Sequence, residues 1–272
     1  MVLSARNEVL QTRIFSFLGI MTDHTLYEWP IWGRRQQRSS DDGDCTTFFN
    51  FLQYLVTIIQ ENVFKTLDLG AGDSIEQIDI FSGSRGEKKI FLQRNCLLNY
   101  FFIANDSTIT ITINSDEPSS TVNAHGIILS RHTPTKVVFV HSLWANHVKS
   151  TIYLLSLLTD NSRCEVDGKI LLKPGIQKAS GNLLEENLIL GEKIRLKILP
   201  MLDARSNDVQ AFHGATIQKI NPHQLFYLTS KGLDRKKAEQ LVIDGAIEKC
   251  LSHFKYLQAQ EKASIKEFIL LS

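Results

Sequence analysis

From Phe48 onward the chain is a succession of short apolar segments separated by polar turns. FFNFLQYLVTII, VFKTLDL, IEQIDIF, KKIFL, LLNYFFI, TITITI, GIIL, KVVFV, TIYLLSLL, KILL, LLEENLIL, IRLKIL and VQAF follow one another. Between them lie GAGDS, SGSRGE, NSDEPSS and TDNSR, built from residues that tolerate or stabilise turn conformations. Ser107 to Asn114 alternates strictly between polar and apolar, as a half-buried strand does. The pattern predicts strands over residues 46–220, with Thr151 to Leu158 ambiguous between strand and helix. So many short strands admit a sandwich, an up-and-down barrel or a parallel β-helix. The NG turns of tight antiparallel hairpins are absent, and of the DG pairs only Asp167-Gly168 falls among the strands. A β-helix returns each coil to the same side and needs no strict sequence repeat; none is visible here.

From Asn221 the period becomes helical. Asn221 is placed as an N-cap, Pro222 at the first helical position and Gln224 at the third. This helix is expected to stop at Gly232. Asp234 caps a second helix in which Ala238, Leu241, Val242, Gly245 and Cys250 are expected to line one face. A last helical segment spans Ala263 to Leu271. Residues 221–272 thus form a C-terminal helical domain, expected to cap the open end of the strand region, since a bare edge strand invites aggregation. Residues 1–45 are expected to hold a short amphipathic helix, roughly Arg6 to Ile20, and a polar linker over 34–44 (RRQQRSSDDGD).

Composition narrows the function classes. Among 272 residues, 43% are hydrophobic, enough for a substantial core. A net charge of +1 gives no electrostatic footprint for nucleic acid or an anionic membrane. No apolar run approaches the ~20 residues of a membrane-spanning helix. The N-terminus, with Glu8 early and no long apolar stretch behind a basic start, is not expected to be a signal peptide. Cys45, Cys96, Cys164 and Cys250 are far apart, without CxxC or CxxH spacing. They read as buried or incidental thiols in a reducing, cytoplasmic setting.

Three stretches carry a resemblance. The first is VDGKILLKPGIQKASG with Asn187–Leu190 (NLIL), the second Pro200–Asp203 (PMLD) and the third FHGATIQKINPHQLFYLTSKG. In order and spacing, over roughly residues 120–250, they are similar to the SufB/SufD family, the scaffold proteins of the SUF iron–sulfur cluster assembly system. The resemblance implies a right-handed parallel β-helix flanked by helices and a scaffold role without enzymatic activity. It also implies a SufB-like subunit and a SufC-like ATPase as partners. Members usually carry a longer N-terminal helical domain than the residues ahead of the strands provide here.

The resemblance is to the SufD type. SufB-type members place a reactive cysteine where this chain has Ile194, and follow their histidine with a glutamate where this chain has Gly214. An isoleucine forms no thiolate, so that chemistry does not carry over. His213-Gly214 matches the SufD type, whose histidine is implied to face the SufB cysteine across the subunit interface. His213 is therefore the candidate ligand of iron or a nascent cluster, held transiently and not as a stable cofactor. Ala211 stands where the type often has a further cysteine. Leu225, Phe226, Tyr227 and Leu228 are candidates for contact with the ATPase, with core packing as the plainer reading. His125 and His147 read as coil or turn residues. No Walker A motif is present, so ATP hydrolysis would belong to the partner. Self-pairing into a homodimer is the alternative to a SufB-like partner. Two further readings stay open: a degenerate paralogue that only supports a partner, or a carbohydrate-active β-helix enzyme using Asp68, Asp73 and Asp79.

Overall fold

The structure is a computed structural model and describes residues 60–61, 64–252 and 259–271. The expected helix at Arg6 to Ile20, the polar stretch 34–44, Cys45 and the first apolar segment lie outside the described residues. Among the described residues, fourteen strands are followed by three helices. The first strands are β1 (Gln60–Glu61), β2 (Leu67–Leu69), β3 (Ser74–Ser82), β4 (Arg85–Leu92), β5 (Leu97–Asn105), β6 (Thr108–Ser115) and β7 (Thr121–Ser130). They continue with β8 (Thr135–Leu143), β9 (Lys149–Leu158), β10 (Arg163–Leu172), β11 (Gln177–Ile189), β12 (Arg195–Ile198), β13 (Met201–Ala204) and β14 (Asp208–Lys219). The helices are α1 (Pro222–Ser230), α2 (Arg235–Leu251) and α3 (Ala259–Leu271).

Strands β1-β3-β5-β7-β9-β11-β14 form one parallel sheet, here the odd sheet, and β12-β10-β8-β6-β4-β2, with β13 also on β10, form the other, the even sheet. Up to β12 successive strands alternate between the two sheets, and β12 and β13 share one edge before β14 returns to the other sheet, so the chain is a parallel β-helix. Thr151 to Leu158, ambiguous by pattern, is strand within β9. The coils are unequal: Ser74 pairs with Leu97, whereas Lys149 pairs with Ser180.

The two sheets differ in what they bury. Strands of the even sheet alternate, as in β6 with every second residue buried, because only their inner face is covered. Strands of the odd sheet carry continuous apolar runs: FFIA in β5, GIIL in β7, YLLSLL in β9. Such runs need cover on both faces. Their inner face packs in the core between the sheets, around Phe102, Phe139 and Ile152. Their outer face (Phe101, Ile103, Ile127, Leu129, Leu155 and Leu157) joins Ile247, Cys250 and Leu251 of α2 and Ile265 and Ile269 of α3.

This corrects the expected place of the helices. They lie along the flank of the odd sheet and not over the end strand β14. Polar contacts fix the docking: Lys249 on α2 pairs with Glu186 at 2.6 Å, Tyr153 donates to the same carboxylate at 2.6 Å, and Arg131 donates to the Ile269 carbonyl. Leu241, expected on the buried face of α2, is half exposed, while Ala238, Ile247, Cys250 and Leu251 are buried.

Side chains in the core stack in columns because paired residues of a parallel ladder point the same way. One column runs Asp79, Phe102, Gly126, Leu154, Glu185, Ala215. Gly126 is required here: a Cβ would lie 2.2 Å from the Phe102 ring, which stacks 5.8 Å from Phe139. Among the described residues no helix is long and apolar enough to cross a membrane.

Candidate functional site

His213 sits on β14, which is paired with β11 along one side and, among the described residues, carries no strand on the other. Val209 and Ala211 still lean on the core, but beyond them the stack has ended. His213 is exposed, and Phe212 and Ile217 are 56% and 60% exposed. An edge strand with unpaired backbone groups and apolar side chains is a template for another strand. Register places His213 over Leu183, on the inward-facing row, where no further coil lies over it among the described residues. Ala211 is two positions back on that row. Ile194, just before β12, packs against the core margin. Neither position offers a ligand atom.

Beneath β14 the core turns polar. Leu183, Glu185 and Asn187 are successive inward positions of β11, paired with His213, Ala215 and Ile217. Glu185 is 1% exposed. Its Oε1 accepts from the Gly168 N–H at 3.0 Å, and Oε2 has no hydrogen-bond partner. Gly168 makes the room, since a Cβ there would lie 2.3 Å from Oε1. Burial, reinforced by Asp167 and opposed by the Gly168 bond, pushes the carboxyl up to about 7. Asn187 donates to the Thr216 carbonyl at 3.0 Å, tying β14 down, while its Oδ1 is unpartnered. Neither residue was flagged by sequence reasoning. LLEENLIL shows two adjacent acids, and only the strand register reveals that Glu185 points in while Glu186 points out.

The second candidate patch lies on α1. Asn221 caps it, accepting from the His223 N–H at 2.9 Å. At its end Gly232 N–H bonds Thr229 O and Leu233 N–H bonds Leu228 O, a Schellman closure that uses the positive φ of Gly232. Leu225 and Leu228 are half-buried, and Phe226 and Tyr227 are 73% and 59% exposed. The four residues therefore split: two pack, two face out.

The remaining candidates do not gather. His147 is in a turn with its N–H bonded to Gln177 O, and His125 is buried under Tyr153 on the outer face of the odd sheet. Asp79 is buried in the core, bonded to Gln77, Tyr100 and Lys88. Asp73 accepts from the Gly70 N–H in a turn, and Asp68 is exposed on β2. The three carboxylates of the carbohydrate reading thus have different environments and do not form one site. Cys96, Cys164 and Cys250 are free and buried; burial pushes the Cys164 thiol up to about 12. Among the described residues no three His, Cys, Asp or Glu side chains are placed to hold a metal ion.

Residues 90–246 match the sequence model of a family described as "SUF system FeS cluster assembly, SufBD core domain". The chain belongs to the SufBD family. Within it, the chain is SufD-like: it is 31% identical over 88 residues to the iron–sulfur cluster assembly protein SufD of Escherichia coli, covering 32% of this chain and 21% of that protein. It is 34% identical over 89 residues to SufD of Bacillus subtilis, covering 33% and 20%. A SufBD family protein of Pyrococcus horikoshii is 34% identical over 96 residues, covering 35% and 21%. The matches thus span about a fifth of each of these relatives. The SufBD match takes in β14 and His213, α1 and most of α2.

Proposed function

We propose that this chain is a SufD-like scaffold subunit of the SUF iron–sulfur assembly machinery, acting in the cytoplasm and catalysing no reaction of its own. The edge strand β14, with no further strand on it among the described residues, carries the reading. It presents a backbone row, two exposed apolar side chains and one exposed imidazole on a single edge. A SufB-like subunit adding its own edge strand would bury Phe212 and Ile217 and satisfy the open row. His213 would then face the partner. Its neutral imidazole is a good ligand for iron near pH 7, and the cargo, iron or a nascent cluster, would take its other ligands from the partner. A SufC-like ATPase would dock on Phe226 and Tyr227, and its cycle would move the helices against the β-helix.

A double variant, Phe212→Asp with Ile217→Asp, tests the edge. Both side chains are more than half exposed, so the isolated chain should keep its fold. Mixed with SufB-like and SufC-like proteins, it should fail to join the SufB-like subunit. Unimpaired assembly of that variant would refute pairing through β14. Wild-type chain that elutes as a dimer and ignores the SufB-like protein would instead favour self-pairing.

A further inference from the structure

Two hydrogen bonds beneath β14 are the ends of an interrupted chain. The edge of β10 is paired by β12 as far as Val166 and by β13 from Lys169, so on that side the ladder breaks at Asp167 and Gly168. There the Gly168 N–H donates across the core to Glu185 Oε1 at 3.0 Å. Two residues on, Asn187 donates to the Thr216 carbonyl of β14 at 3.0 Å. Glu185 and Asn187 are successive inward residues of β11, 1% and 0% exposed. Between the two bonds stand Glu185 Oε2 and Asn187 Oδ1, both without a partner. A buried acceptor left unmet costs stability. One proton serves both oxygens, because a neutral carboxyl keeps one acceptor and gains an O–H donor. Inward residues two apart on a strand are roughly 7 Å apart at the backbone, a gap that a glutamic acid and an asparagine side chain together span.

We propose that Glu185 is a proton-operated clamp on the edge strand: protonated, it donates from Oε2 to Asn187 Oδ1 and completes a relay from Gly168 on β10 to Thr216 on β14. Ionised, it breaks the relay and leaves a buried charge beneath Ala215. The charged and titratable groups around it are Asp167 and Lys169 of β10, paired with each other at 2.8 Å, and His213, two residues from Ala215 on β14. Its neighbour on β9 is Leu154, and Glu186 of its own strand turns outward to Lys249. Burial, with Asp167 behind it, favours the neutral carboxyl, so half of the folded chains carry the proton near pH 7. When β14 lifts away, Glu185 meets water and becomes an ordinary carboxylate. The closed strand therefore holds a proton that the opened one releases. Closure is strongest in acid and weakens as pH rises through about 7. The relay thus ties the order of β14 to pH. Use of this edge by a partner rests on the scaffold reading, whereas the clamp belongs to the chain alone.

The test is hydrogen exchange of the β14 amides in the full chain from pH 5 to pH 8, corrected for the pH dependence of exchange itself, beside Glu185→Gln and Asn187→Leu. Glu185→Gln keeps the acceptor for Gly168 and puts a permanent amide donor where the proton stood. In the wild type the opening equilibrium of β14 should rise roughly 50-fold between pH 5 and pH 8, the linkage effect of a carboxyl moved from about 4.3 to about 7. In Glu185→Gln it should stay nearly constant, His213 being common to both. Asn187→Leu should open β14 more than the wild type does, and by a larger factor at pH 5 than at pH 8, where the relay is already broken. A flat wild-type profile, or a folded Glu185→Gln that follows the wild type, overturns the clamp. An equal loss in Asn187→Leu at both pH values removes Asn187 from the relay and overturns it too. Should Glu185→Gln fail to fold, His213→Ala takes its place: the pH dependence must survive that exposed change, and its disappearance would assign the effect to His213 and refute the proposal.

Discussion

Acid should weaken this fold through His141 by about 2 kcal/mol at pH 5. His141 lies on β8 with no exposed surface. Its Nδ1 is 2.7 Å from the Ser150 hydroxyl and its Nε2 3.0 Å from that of Ser115, so the ring bridges the two sheets inside the core. A neutral ring donates from one nitrogen and accepts at the other. Burial lowers its pKa from the ordinary 6.5 to about 3. Between those values the unfolded chain holds a proton that the folded chain refuses, so stability falls as pH drops. At pH 5 the deficit is 1.5 pKa units below the unfolded value, or about 2 kcal/mol at 1.36 kcal/mol per unit. The raised carboxyl of Glu185 works the other way over the same range and would mask the effect in the wild type alone. Urea unfolding of wild type and His141→Gln at pH 7 and pH 5 removes that term, because it is common to both. The variant should be the less stable at pH 7, by about 1–3 kcal/mol for the disrupted buried bonds. That gap should shrink by about 2 kcal/mol at pH 5. A gap that stays constant would refute the buried, neutral His141.

Gly126→Ala drives a methyl into the Phe102 ring and should cost about 1–3 kcal/mol, seen as a lower unfolding midpoint that Phe102→Leu partly restores. Lys88→Met leaves Asp79 buried without its ion-pair partner, now at 3.3 Å, and should cost about 3–5 kcal/mol. Adding Asp79→Asn should recover much of that loss in denaturant titrations. Phe226→Ala with Tyr227→Ala should change stability by no more than about 0.5 kcal/mol, both side chains being exposed, yet abolish retention of a SufC-like ATPase on the immobilised chain.

The strands were legible because short apolar segments between Gly, Asp, Asn and Ser turns have few other readings. The caps at Asn221, Gly232 and Asp234 were legible because each needs a particular residue at one position. The choice of a β-helix over a sandwich or barrel came from the family motifs, and so did His213; nothing in the local pattern of AFHGAT marks it. The placement of the helices was misjudged, although a signal existed. FFIA, GIIL and YLLSLL do not alternate, and a strand that is apolar on both faces asks for a cover on its outer side. Glu185, Asn187 and His141 were missed for a different reason. Which side chain points inward depends on the register between coils, and the coils lengthen along the stack, so no fixed period discloses the columns. The same holds for Asp79, a surface carboxylate by pattern and a buried ion-pair member in the fold.

The central claim is that β14 and α1 serve partners of the SUF type. Isolation of the tagged chain from extract of its own cells, with the co-purifying proteins identified, tests it most directly. A SufB-like subunit and a SufC-like ATPase should be recovered together in one assembly. Recovery of the chain with neither would contradict the scaffold account.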